Sequence, residues 1–477
     1  MIVPCVVPRR ARLLAAVPLA LALAGTVEAQ RGVAPTISFR TRAEAWDWFD
    51  AGPEGRYAYS GSILRAGAIW RGSGASARFE LAVPVLLGLP DDATRPPPAG
   101  ALGLGANYYA ANDGERNDAH LFPKQAWIQL GRESGHRLRI GRTEFADGAE
   151  AVPASPTLAA VKAQRISQRL LGPFGWSHVG RSYDGGLYAW TGPGWNATLL
   201  AARPTSGAFD ANGWKQLDMD LGYAAITATG KRGDVRLFAL YSADDRRLPK
   251  TDNRPAPVRT ADSAGLEVVT IGGHLLSEAR TRAGTVDFLA WGALQTGSWG
   301  AADHRAHAVA LEAGIQPRGF EPLRPWLRAG VYRASGDPDP GDGRHETFYP
   351  VLPTPRVYAR TPFYTTANLE EAFVSLAVRP GPVSLRSDAR FLRLHEALDL
   401  WYAGGGAFEE ESFGNAGRAA GTRPLATLLD LSLDWRASAS ATVSLYGARV
   451  LGRDGIDAIY GPDASAAFGY LEIELRR

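Results

Sequence analysis

The chain is poor in cysteine, methionine and lysine, and beyond its first 29 residues it has no long apolar run. Its single cysteine, Cys5, lies in that N-terminal segment, which excludes a disulfide framework and thiol chemistry for the rest. Only five of its 52 basic side chains are lysines: Lys124, Lys162, Lys215, Lys231 and Lys250. No later segment is apolar enough for a membrane helix. A chain of this kind can cross a bilayer only as a closed barrel, because only helices and closed sheets satisfy the backbone in lipid. The formal charge of +3 leaves no global nucleic-acid footprint. The eight His residues show neither a nucleophile motif nor zinc spacing. The sequence therefore reads as a non-enzyme, and it implies no cofactor.

Residues 1–29 read as a secretory leader. Arg9, Arg10 and Arg12 precede an apolar core from Leu13 to Ala24, and Val27-Glu28-Ala29 is a small-residue cleavage site. The core is too short to span ~30 Å of hydrocarbon. Residues 30–477 are expected to form one domain.

Tight reversals and longer polar segments alternate along that domain. Gly230 to Asp234, Thr191 to Trp195 and Arg379 to Val383 are short, Gly- and Pro-rich turns. Between them, apolar and polar residues alternate with period two, as in Phe79, Leu81, Val83, Val85 and Leu87. Strands fall near 36–48, 59–71, 76–87, 124–133, 136–145, 182–191, 195–203, 218–229, 234–243, 264–277, 283–294, 304–316, 322–334, 368–379, 382–395, 424–436, 441–452 and 463–475. A loop containing Trp299 is expected between the eleventh and twelfth. The fold class is all-β: a transmembrane antiparallel β-barrel of about 18 strands, with short periplasmic turns and long extracellular loops. Trp46, Trp48, Trp70, Trp127, Trp190 and Trp435 sit near strand ends, where interfacial girdles belong. A barrel of this width holds an aqueous channel.

The inward face of such a barrel is polar. On the period-two pattern it carries Arg40 and Arg42 with Glu44, then Arg137 and Arg139 opposite Leu138 and Ile140. Arg324 and Arg328 follow, and then Arg386, Asp388 and Arg390. Guanidinium groups grip carboxylates with a planar pair of donors and keep their charge at any relevant pH. These residues could guide an anionic solute, or they could form a mutually paired lining. Asp337, Asp339 and Asp342 offer hard oxygens to Ca²⁺, but Pro338 and Pro340 fit a rigid surface turn equally well.

Several stretches resemble the alginate export family of bacterial outer-membrane barrels. They are Phe39 to Trp46, Arg137 to Gly148, Gly180 to Tyr188, Ala329 to Pro353, Ala397 to Gly406 and Leu428 to Trp435. The resemblance implies an outer-membrane channel for an acidic polysaccharide such as alginate. Its implied partners are that polymer or another anionic solute, outer-membrane lipid and periplasmic export components. It also implies Arg142 and Asp184 as constriction residues, while an ion pair that stabilises a turn is the other reading of the two. A general or small-anion porin and a barrel used as a surface receptor remain the alternative functions.

Overall fold

The structure is a computed structural model and describes residues 32–354, 360–404, 407, 409–414 and 416–477. The expected leader, 1–29, lies outside the described residues. Eighteen strands form a closed antiparallel barrel. They are β1 Gly32–Asp47, β2 Arg56–Arg71, β3 Ala75–Leu87, β4 Phe122–Gly131, β5 Gly135–Thr143 and β6 Tyr183–Gly192. Next come β7 Trp195–Pro204, β8 Met219–Thr229, β9 Gly233–Asp244, β10 Leu266–Arg280, β11 Gly284–Trp299 and β12 Ala302–Pro317. The last six are β13 Trp326–Ala334, β14 Leu369–Val378, β15 Val383–Leu394, β16 Pro424–Arg436, β17 Ala441–Gly452 and β18 Ser465–Arg476. Each strand pairs with its neighbour in sequence, and β1 pairs with β18 to close the ring.

The alternation in sequence becomes alternation across the wall. On β9, Asp234, Arg236, Phe238 and Leu240 are buried inside, while Val235, Leu237 and Tyr241 are exposed outside. On β12 the inward residues are Ala306, Ala308, Ala310 and Glu312, and the outward ones include Val309 and Leu311. An exposed apolar band of this kind belongs against lipid.

Three expectations need correction. Trp46, Trp48 and Trp127 are buried inside the barrel rather than set in a girdle. Trp70 and Trp435 do face outward, both at the turn rim. The loop expected around Trp299 is strand up to that residue, and β11 turns into β12 through Gly300 and Ala301 alone, with Gly300 at φ 61. Arg324 is not on a strand. It sits at φ 43 in the turn before β13, where its N–H donates to the Phe320 carbonyl at 2.9 Å. Pro325 has no N–H for the ladder, so pairing starts only at Trp326.

Among the described residues the loops carry four α-helices: α1 Leu104–Ala111, α2 Pro156–Arg165, α3 Ala256–Ala261 and α4 Asp454–Tyr460. Eighteen strands enclose more space than wall side chains can fill. The loops supply the filling, so the apolar core lies inside the loop end of the barrel. Phe49 packs there against Phe363 and Trp401, with ring centroids 6.0 and 5.9 Å away.

Candidate functional site

The lumen is the candidate site, and the segment 144–182 crosses it. This segment carries Leu158, Val161, Ile166, Leu170 and Leu171, all buried. It is too apolar to lie in water and folds inward instead. Helix α2 begins at Ser155, whose Oγ accepts from Leu158 N at 3.3 Å, and Pro156 occupies its first turn.

Its polar side chains reach the wall. Lys162 Nζ lies 2.9 Å from Asp234 Oδ1 on β9. Arg165 Nε lies 2.9 Å from Glu312 on β12, and Arg328 Nε on β13 donates to the same carboxylate at 2.9 Å. Gln316 Nε2, one residue from the turn end of β12, donates to Thr157 Oγ1 at 3.1 Å. The segment therefore descends almost to the turn rim along β9 to β13.

Its far end crosses to β1. Arg40 Nη1 donates to the Gly175 carbonyl at 2.5 Å and Arg42 Nη2 to the Trp176 carbonyl at 2.8 Å. The described parts of a second inward loop, 335–354 and 360–368, lock onto the first. Leu171 bridges Leu352 in parallel, and Thr354 N donates to the Gln168 carbonyl at 2.9 Å. Its Arg360 reaches Asp434 near the turn end of β16, Nη2 to Oδ2 at 2.9 Å. Between these loops, Asp147 is buried and pushed up to about 6 by that burial, although Arg236 pulls the other way. His178 is buried against Tyr59 and Tyr108, and burial holds it down to about 4, so it is neutral at pH 7.

Elsewhere around the lumen, partly exposed charge lies on β2, β3, β5, β15 and β18. Glu80 accepts from Arg65 Nη2 at 2.5 Å and from Arg78. Arg65 also meets Glu144 at 2.8 Å. The openness is uneven: the side chains of Arg65 and Arg78 are 23% and 25% exposed, while that of Glu80 is 4% exposed. Asp388 repeats the pattern, at 3% beside Arg386 at 21%. Arg139 packs over the Trp127 ring at 4.1 Å and donates to Gln129 Oε1 at 2.8 Å.

The sequence-named residues divide as follows. Arg40, Arg42, Arg137, Arg139, Arg328, Arg386, Asp388 and Arg390 lie on the inward faces of their strands. Arg328 is buried and paired with Asp287 and Glu312, and Arg390 is buried and paired with Glu371 and Asp388. Those two arginines are neutralised parts of the wall. Arg42 is likewise held by Glu44 at 3.0 Å and Glu472 at 2.6 Å.

Arg142 and Asp184 do meet, Nε to Oδ1 at 2.7 Å and Nη2 to Oδ2 at 2.6 Å, but on the outer side of the wall. Their neighbours Thr143 and Tyr183 are the inward, buried residues. The pair clamps the loop carbonyls of Gly213 and Trp214 and forms no constriction. Gly141 beside it stands at φ +121, where an added Cβ would lie 2.3 Å from the Ala126 carbonyl, so only glycine lets β4 and β5 approach there.

The three acids Asp337, Asp339 and Asp342 do not converge. Each accepts a backbone N–H two residues ahead, from Asp339, Gly341 and Arg344. Among the described residues no group of three or more His, Cys, Asp or Glu is set to hold a metal ion.

Sequence reasoning missed Lys162, Arg165, Arg65, Arg78 and Arg360. The signal for the first two was present: Leu158 and Val161, three residues apart on one helical face, inside a supposedly solvated loop.

The profile of the family described as alginate export matches residues 36–451. The chain belongs to the alginate export family. In fold this alginate export barrel is similar to solved outer-membrane proteins at low identity. OccAB4 of Acinetobacter baumannii aligns with TM-score 0.56 and 9% identity, covering 94% of this chain and 99% of that one. OccK2 (OpdF) of Pseudomonas aeruginosa, solved in complex with glucuronate, aligns at 0.53 and 12%, covering 95% and 99%. OpdK of Pseudomonas aeruginosa, solved with vanillate, aligns at 0.54 and 11%, covering 93% and 98%. No curated protein matches the chain in sequence. Family and fold are those of a bacterial outer-membrane transport channel and not of an enzyme class.

Proposed function

We propose that this alginate export barrel passes acidic saccharides, uronate polymers or their short oligomers, through a lumen whose open surface is guanidinium. The observation that carries this reading is the uneven exposure within the Arg65–Glu80–Arg78 set. Glu80 lies behind its two cations, so at that carboxylate water and solute meet the cations first, while Glu144, the other partner of Arg65, is as open as Arg65 itself. Arg386 over Asp388 adds a second such element. Two-pronged donors of this kind suit a file of carboxylates. The carboxylate solute in the OccK2 structure, glucuronate, is a uronate and is consistent with this chemistry.

A general diffusion porin is the second reading. It is favoured by Arg40 with Glu472 and Arg360 with Asp434, whose partners are equally open to the lumen. Planar-bilayer recording separates the two. Under a KCl gradient the wild-type barrel is expected to prefer anions, and oligoguluronate is expected to block its current. Arg65→Gln/Arg78→Gln should weaken both effects. A cation-preferring channel, or one that polyuronate leaves open, would establish the general porin instead.

A further inference from the structure

The lipid-facing side carries a second charged feature, at the loop end of β13 to β17. Arg333 on β13, Glu370 on β14 and Arg393 on β15 stand in one cross-strand row. Arg423, beside the start of β16, and Arg453, beside the end of β17, continue it. Three guanidinium groups converge on Glu370: Arg393 Nε and Arg423 Nη2 at 3.0 Å, and Arg333 Nε at 3.8 Å. His395 Nδ1 also lies 3.0 Å from Glu370, and Glu396 stands 3.6 Å from the other ring nitrogen. Arg453 Nη2 donates to Thr427 Oγ1 at 3.1 Å. Glu370 and Glu396 together do not neutralise the four arginines of this row.

One outward step below, Leu311, Val331, Ala372 and Phe391 stand in matching register. They floor a groove of about 780 Å³ whose upper edge includes Arg333, Arg393, Arg423 and Arg453. The row lies at the loop ends of these strands, just beyond the exposed apolar residues Leu311, Val331 and Phe391.

We propose that this groove binds a phosphorylated, acylated glycolipid of the outer leaflet. Its phosphate sits on the arginine row and an acyl chain lies along the apolar floor. Guanidinium is the side chain whose planar donors match phosphate, and the row has positive charge left over after Glu370 and Glu396 are satisfied. A ladder serving only the wall would balance its signs, as the inward pairs Arg328–Asp287 and Arg390–Glu371 do.

The test is native mass spectrometry of the full barrel in detergent, titrated with diphosphoryl lipid A and with its phosphate-free form. Wild type should retain diphosphoryl lipid A and bind the phosphate-free form weakly, and millimolar inorganic phosphate should not displace the lipid. Arg333→Gln/Arg393→Gln/Arg423→Gln should weaken binding roughly tenfold, as expected for lost charge-assisted hydrogen bonds. The corresponding triple Lys variant should stay close to wild type. Heat-modifiable gel migration checks that each variant is a folded barrel. Equal binding of the two lipids, displacement by free phosphate, or a folded Gln variant with unchanged affinity would overturn the proposal. If the Gln variant fails to fold, the comparison of the two lipids on wild type still decides.

Discussion

Lys162 on α2 and Asp234 on β9 meet inside the barrel, Nζ lying 2.9 Å from Oδ1 and 3.0 Å from Oδ2. Asp234 is the second residue of its strand, so this contact holds the middle of the 144–182 segment one step from the turn rim. His274 Nε2 lies within 2.5 Å of the same carboxylate. The pair is one of several contacts that hold the segment across the lumen, with Arg165–Glu312 and Gln316–Thr157.

Lys162→Ala should therefore loosen the segment. Removing one partner of a buried pair costs about 3–5 kcal/mol, and here part of that cost falls on the loop's attachment to the wall. Single-channel recording should show larger, noisier open levels than wild type. Traces indistinguishable from wild type would mean that the remaining contacts, Arg165 with Glu312 among them, hold the loop unaided.

Glu80→Gln should raise anion preference, because Arg65 and Arg78 keep their places and lose the carboxylate behind them. Arg65 retains Glu144, so the gain is partial. The gain should be largest in dilute KCl and should nearly vanish at 1 M, where the Debye length falls to ~3 Å. A reversal potential unchanged at low salt would show that these arginines do not face the permeating ions.

The contact between the loops at Asp337 and Asp399 should depend on pH. Asp399 accepts from Asp337 N at 3.0 Å, from Thr347 Oγ1 at 2.5 Å and from Tyr402 OH at 2.8 Å. Burial pushes Asp337 up to about 7 and Asp399 to about 6. Both lie above the ordinary carboxyl value of about 4. A raised folded value means that the folded loops bind protons the unfolded ones do not. Their stabilisation is complete below about pH 4 and is lost as the pH rises through 6 to 7. Hydrogen exchange of 335–354 and 395–402, corrected for its intrinsic pH dependence, should be slower at pH 5 than at pH 8. Asp337→Asn should flatten that profile. Equal protection at both pH values in wild type would refute the linkage.

Arg142→Ala should leave ion selectivity unchanged, since the pair it forms with Asp184 lies outside the lumen. Its effect should be local: faster proteolysis of 205–217, whose Gly213 and Trp214 carbonyls lose a donor. A partly exposed pair of this type contributes up to about 1 kcal/mol. A changed reversal potential would put Arg142 back into the permeation path.

Period-two alternation was enough to read the barrel. A strand with one face in lipid and one in a polar lumen must alternate, and eighteen such runs separated by turn residues leave few other closed arrangements. The same parity was enough to place Arg40, Arg42, Arg137, Arg139, Arg386 and Arg390 inside. Applied one residue further, it would also have put Arg142 outside, since Arg137, Arg139 and Gly141 share the inward face. Strand ends were less legible. Pro325 stops pairing before Arg324, and the tight turn at Gly300 lengthens β11 and β12 beyond their visible alternation. Which arginines are neutralised could not be read from the chain. Glu312 meets Arg165 from a loop 147 residues away and Arg328 from the next strand, and these contacts exist only after closure and infolding. The strand pattern is a local property of the backbone and its two solvents, so the sequence by itself determined the barrel. Whether a guanidinium faces the solute or a carboxylate depends on which loops fill the lumen, and only the tertiary structure decided that.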